Sequence, residues 1–169
     1  RNQSGQTMLD PAAPAGLRRY WKSGYVPTMD DEFVDIVLEH VRRKTSPLSL
    51  VLMLHMHGAA ARVAPDATAF GARATQWDLD ILPQWQAADE DARHIAWARS
   101  FWSDVAKFTS GVYSNHLDTD DGAPRVRAAY GGNYDRLVTL KQRYDPDNFF
   151  NVNNNIPPTA ERVVPRSRG

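Results

Sequence analysis

Across Gln76-Trp77-Asp78-Leu79-Asp80-Ile81, polar and large apolar residues alternate without a break. Successive side chains of an extended strand point to opposite faces, so Trp77, Leu79 and Ile81 fall on one face and Asp78 and Asp80 on the other. One face is core, and the other meets water or a ligand. The segment is too apolar for a solvent edge, so the chain must build a sheet around it.

The flanking sequence supplies the rest of an α+β pattern. Leu48 to His57 is apolar, bounded by Pro47 and Gly58, and reads as another strand. A helix is expected from Asp30 to Lys44, where Phe33, Val34, Val37, Leu38 and Val41 form one stripe. Acidic residues open it and basic ones close it, as the helix dipole favours. A second helix is expected from Asp89 to Phe108, a short strand from Gly111 to Leu117, and a last helix from Asn133 to Arg143. Asp145-Pro146-Asp147-Asn148 is a turn by composition. Residues 1–16 read as a linker or arm and 159–169 as a loose tail.

Charge and composition exclude several classes of partner and site. Twenty basic residues balance twenty acidic ones, which removes the electrostatic case for nucleic acid or an anionic membrane. With no cysteine there is no disulfide framework, zinc ribbon or thiol nucleophile. The apolar run at Leu50 to Leu54 is far too short to span a bilayer, and Arg1-Asn2-Gln3-Ser4-Gly5 has no signal-peptide core.

Three places put ionisable or polar groups where a solvated face does not account for them. His55-Met56-His57 places two imidazoles on one face of a strand end, where they could contact a substrate, bind a metal with Asp78 or Asp80, or simply be hydrogen-bonded. Asp78 is a candidate general base, with a surface-facing carboxylate pair as the plainer reading. Tyr113-Ser114-Asn115-His116 puts a polar run in an expected buried strand, where each group needs a partner and a ligand could provide it.

The tail narrows these options. Tyr130-Gly131-Gly132-Asn133-Tyr134-Asp135-Arg136-Leu137, Leu140-Lys141, Tyr144-Asp145-Pro146-Asp147-Asn148-Phe149-Phe150 and Asn153-Asn154-Asn155-Ile156-Pro157-Pro158 together resemble the C-terminal signature of berberine bridge enzyme-like FAD-linked oxidases. A weaker likeness continues upstream through Tyr20 to Tyr25, Pro65 to Arg73 and His94 to Trp97. The resemblance implies a substrate domain with an antiparallel sheet facing the flavin and helices on its outer side. It assigns residues 17–132 to most of that domain and residues 133–158 to a segment returning to the FAD-binding domain. Most of the FAD site and any covalent flavin attachment would then lie outside this sequence.

Residue by residue, the family's Tyr-x-Asn motif falls on Tyr113-Ser114-Asn115, placing Tyr113 and Asn115 at the flavin, with Tyr130, Asn153 and Asn154 as further cofactor contacts. His116 stands where many members have a tyrosine base. Asp78 falls where some use a glutamate base, and His55 where others place an active-site tyrosine or aspartate. Asn154 and Ala59 depart from the family's usual glutamine and glycine. The implied activity is an oxidase that moves hydride from a substrate C–H to FAD, with oxygen as electron acceptor and a small molecule as substrate. The missing N-terminal FAD-binding part would be its partner. A metal centre on His55, His57 and Asp78 and a non-catalytic binding module are the rival readings.

Overall fold

The computed structural model describes residues 10–118, 121–152 and 154–158. Most of the expected arm, the cofactor candidate Asn153 and the expected tail lie outside the described residues. In chain order the elements are β1 (Arg18–Arg19), β2 (Lys22–Val26), α1 (Asp31–Arg42), β3 (Leu50–Met56), β4 (Gln76–Leu82), β5 (Gln84–Trp85), α2 (Asp91–Val105), α3 (Ala123–Tyr130) and α4 (Tyr134–Tyr144).

The alternating segment is β4, the central strand of a three-stranded antiparallel sheet of order β2-β4-β3. On one face Val26, Leu79 and Ile81 are fully buried beside Val51, Met53 and Trp77. Phe33 of α1 and Trp97, Ala98, Phe101 and Val105 of α2 cover them. Burying side chains such as Phe33 and Phe101 contributes about 1.5–3 kcal/mol each. Gly24 lets β2 approach α2: a Cβ there would stand 2.8 Å from the end of the Trp102 ring and 3.0 Å from Thr109 Cβ.

Local signals explain the helix bounds. Asp30 accepts the Phe33 N–H at 2.8 Å as N-cap of α1. His40 then joins α1 to α2, stacking on Phe101 and meeting Asp104 at 2.8 Å. The expected helix over 89–108 is α2 flanked by 3-10 turns at Ala88–Glu90 and Ala106–Phe108.

Two expectations fail downstream of α2. The chain from Gly111 to Leu117 is not a strand: Ser110 makes one bridge to Tyr25, and Ser114–His116 is a 3-10 turn. Gly111, at φ +61°, breaks the extended run immediately after the bridge. Helix α3 has no counterpart among the expected elements; Pro124 sits in its first turn, where its missing N–H costs nothing.

A second apolar cluster packs the C-terminal segment together. Val126, Tyr134 and Val138 are buried in it, with Leu117, Tyr130 and Ile156 against them. Asn133, ahead of α4, donates from Nδ2 to the carbonyls of Pro65 (2.8 Å) and Thr68 (3.1 Å), fastening the long loop between β3 and β4.

Candidate functional site

The sheet face opposite the α1 and α2 core carries two buried carboxylates. Strand register sets Ser23 opposite Asp80 and Tyr25 opposite Asp78 on one side of β4, with Leu52 and Leu54 opposite the same two carboxylates on the other. Asp78 and Asp80 are 5% and 1% exposed, so both carboxyl groups are withdrawn from water. Leu54, by contrast, is exposed and leaves an apolar shelf beside them.

After the turn at Gly111, Val112 is buried and the 113–116 segment crosses over β2 and β4. His116 Nδ1 comes to 2.7 Å from Asp80 Oδ1 and 3.6 Å from Asp78 Oδ2. The first contact is at hydrogen-bond distance, but an N–H on Nδ1 would not point at the oxygen. Trp21 stacks on the imidazole with 4.5 Å between centroids, and its Nε1 donates to the same Asp80 oxygen at 2.9 Å. Tyr113 meets His116 edge-on at 4.9 Å, and Phe70 of the 65–73 loop meets Tyr113 in the same way at 5.7 Å.

Burial decides the electrostatics. Removal from water, then the neighbouring Asp80 charge, pushes the Asp78 carboxyl up to about 7, with His116 opposing the rise. The Tyr25 phenol is raised well above its ordinary value by burial and then by Asp78, Tyr113 and Asp80. Asp78 Oδ1 is buried without a hydrogen-bond partner. Nδ1 of His116 and one oxygen of each carboxyl group lie within 4.8 Å of one another, so their charges are coupled.

The structure brings His116 and Asp78 together as candidate acid–base groups but separates His55 from them. His55 pairs with Trp77 and shares the helix-side face of the sheet, stacking on Trp77 at 4.2 Å and on His57 at 4.4 Å. The metal reading that joined His55 or His57 to Asp78 needs its ligands on one face, and strand parity puts His55 and Asp78 on opposite faces. Asn115 is exposed rather than buried in a strand, and its Nδ2 donates to the Tyr113 hydroxyl at 2.9 Å. Asn154 Nδ2 donates to Ser114 O at 2.9 Å, holding the tail against the turn. Tyr130 packs in the second cluster and lines a cavity of about 460 Å³ that Tyr25 and Gln76 also border.

Sequence alone marks Asp80 as a paired carboxylate or metal ligand but gives Trp21 and Tyr25 no role in the site. The spacing Trp21, Ser23, Tyr25 is the same period-two signal as in β4, but one face becomes functional only once the partner strand is known.

A flavin ring is flat and apolar on its faces, with polar atoms along one edge. The apolar Leu52 and Leu54, the unpartnered Asp78 oxygen as an acceptor, and the polar Tyr113 and Asn115 are a mix of groups that suits such a ring. In the described residues, no helix is long and apolar enough to cross a membrane.

Residues 112–157 match the family model "Berberine and berberine like". An FAD-linked oxidoreductase of Dictyostelium discoideum is 27% identical over 159 residues, covering 90% of this chain and 34% of its own length. Berberine bridge enzyme-like C-1 of Nicotiana tabacum is 30% identical over 173 residues, covering 82% and 30%. The chain thus spans about a third of the length of these relatives. Among solved structures, the oxidoreductase GilR, which catalyses the terminal step of gilvocarcin biosynthesis, superposes with a TM-score of 0.70 at 28% identity. That match covers 79% of this chain and 31% of GilR.

Proposed function

We propose, from the premise that the chain belongs to the berberine bridge enzyme-like family of FAD-linked oxidases, that it is the substrate-facing part of such an enzyme and carries its base. The observation that supports this reading is His116 held over the paired carboxylates of β4, beside an apolar shelf on the open face. Residues 133–158 would return to an FAD-binding part outside this sequence, and Asn115, Tyr113 and Asn154 would lie at the cofactor's rim.

Bound FAD supplies hydride-accepting chemistry, with oxygen as the final acceptor giving hydrogen peroxide. This chain's own residues manage the proton. His116 Nε2, the nitrogen not committed to the carboxylates, takes the O–H or N–H proton of the substrate as charge develops. Asp78 shares the proton held at the imidazole, since its own proton affinity is brought near neutrality. Leu52 and Leu54 exclude water from one side of the pair.

Anaerobic stopped-flow reduction of the full-length, flavin-loaded enzyme tests this. His116→Ala should slow flavin reduction by roughly 10²–10⁴-fold. A near-native rate would remove His116 as the base.

A further inference from the structure

We infer that Asp80, rather than Asp78, is the positioning residue for His116, and that Trp21 locks this pair so that the imidazole proton sits on Nδ1 and Nε2 stays open. The inference rests on the reading of His116 as the base.

The geometry separates the two carboxylates. Asp80 Oδ1 lies 2.7 Å from His116 Nδ1, whereas the nearest oxygen of Asp78 is 3.6 Å away. The same Asp80 oxygen receives the Trp21 indole N–H at 2.9 Å. A carboxylate oxygen has two lone pairs, so it can accept from both rings at once. Trp21 therefore acts twice on His116: it stacks on the imidazole at an interplanar angle of 18°, and it fixes the oxygen that meets Nδ1.

Trp21 is itself anchored. Its backbone N–H donates to Asp118 Oδ2 at 2.9 Å, and Asp118 N–H donates to Asp121 Oδ2 at 2.9 Å. Asp121 in turn pairs with Lys22 at 3.0 Å and Arg125 at 2.9 Å, with its own side chain 4% exposed. The other wall of the imidazole is Tyr113, edge-on. Among the described residues, the groups facing His116 are Asp78 and Asp80 from β4, Trp21 just ahead of β2, and Tyr113 from its own turn, with Tyr25 in electrostatic reach of Asp78, Asp80 and Tyr113. Both carboxylates lie on the Nδ1 side, which selects the tautomer with Nδ1 protonated and Nε2 free to accept. Hydrogen bonds of this kind are often poorly aligned before substrate arrives, as the Nδ1 contact is here.

The test uses the full-length, flavin-loaded enzyme with nitrogen-labelled histidine, the His116 signals being those missing from His116→Gln. The parent should show a protonated Nδ1 and an unprotonated Nε2. Asp80→Ala should mix or reverse the tautomers and slow flavin reduction by at least roughly tenfold, up to the roughly 10²–10⁴-fold that a base contributes. Asp80→Asn keeps an oxygen for both N–H groups but not the charge, so the tautomer should persist while the midpoint of the reduction-rate pH profile moves down. Trp21→Phe keeps the ring but not the N–H and should loosen the tautomer preference less than Asp80→Ala does. A parent His116 protonated on Nε2, or an unmoved midpoint in Asp80→Asn, overturns the inference, and the second result stands even if Asp80→Ala does not fold. If His116→Gln reduces flavin at the parental rate, the base reading fails, and the tautomer spectrum still decides the role of Asp80.

Discussion

Asp78 meets His116 Nδ1 with one oxygen at 3.6 Å and keeps its other oxygen buried with no partner. An ionised Asp78 is therefore a cost to the fold. The folded protein holds this proton up to about pH 7, whereas the unfolded chain releases it near 3.8. Between those values the folded state binds more protons, so this group's contribution to stability falls as pH rises through the window and is constant above it.

Asp78→Asn removes that cost. In the full-length enzyme the variant should gain stability relative to the parent across pH 4 to 7, reaching on the order of 1–4 kcal/mol above it. Urea unfolding at a series of pH values measures the difference. A difference that does not change with pH would show that Asp78 ionises normally.

Gly24→Ala should destabilise the fold by about 1–3 kcal/mol, because the new methyl group would overlap the end of the Trp102 ring. In a Trp102→Leu background the same substitution should cost clearly less, as a double-mutant cycle of denaturation midpoints would reveal. Equal cost in both backgrounds would point to the Thr109 contact or to the backbone instead.

Asn133→Leu should release the 65–73 loop by deleting both of its bonds from Nδ2, at a cost of about 1–3 kcal/mol. Hydrogen exchange should quicken over residues 64–73 and, through the Phe70–Tyr113 contact, in the turn carrying His116. Exchange confined to the neighbourhood of residue 133 would mean that the loop is held by other contacts.

His55→Ala and His57→Ala should leave flavin reduction within about threefold of the parent, against the roughly 10²–10⁴-fold loss expected of a base. Their rings lie on the helix-side face with Trp77, away from the carboxylates. A loss of the larger size in His55→Ala would mean that this face also reaches the substrate.

These two histidines mark where the sequence stopped being legible. The alternation in β4 shows by itself that Asp78 and Asp80 share a face, because parity within one strand needs no partner. Whether His55 joins them depends on the register of β3 against β4, and Leu48 to His57 is too uniformly apolar to reveal it. The resemblance sets His116 with Asp78, but Asp80 obeys the same parity as Asp78, and only the fold sets it nearer the imidazole. The 113–116 run was misread as a strand because its amphipathic residues suit one, while the decisive conformation belongs to Gly111. Helix α3 was hidden by Pro124, whose role depends on whether it falls in a first turn or an interior one.

The period-two arrangement of β4 constrains how this fold can change over time. One strand specifies both the core and the reactive face, so inserting or deleting a single residue within Gln76–Leu82 would turn the carboxylates into the helices and Leu79 and Ile81 toward the substrate side. Such length changes should be lost at once, whereas they can accumulate in the long loop between β3 and β4. Exchanges of side-chain type are different: residues 78 and 80 lie on the face opposite Leu79 and Ile81, so their chemistry can be altered without replacing a core side chain. A lineage built on this sheet could therefore acquire new acid–base groups one substitution at a time while its scaffold stays fixed.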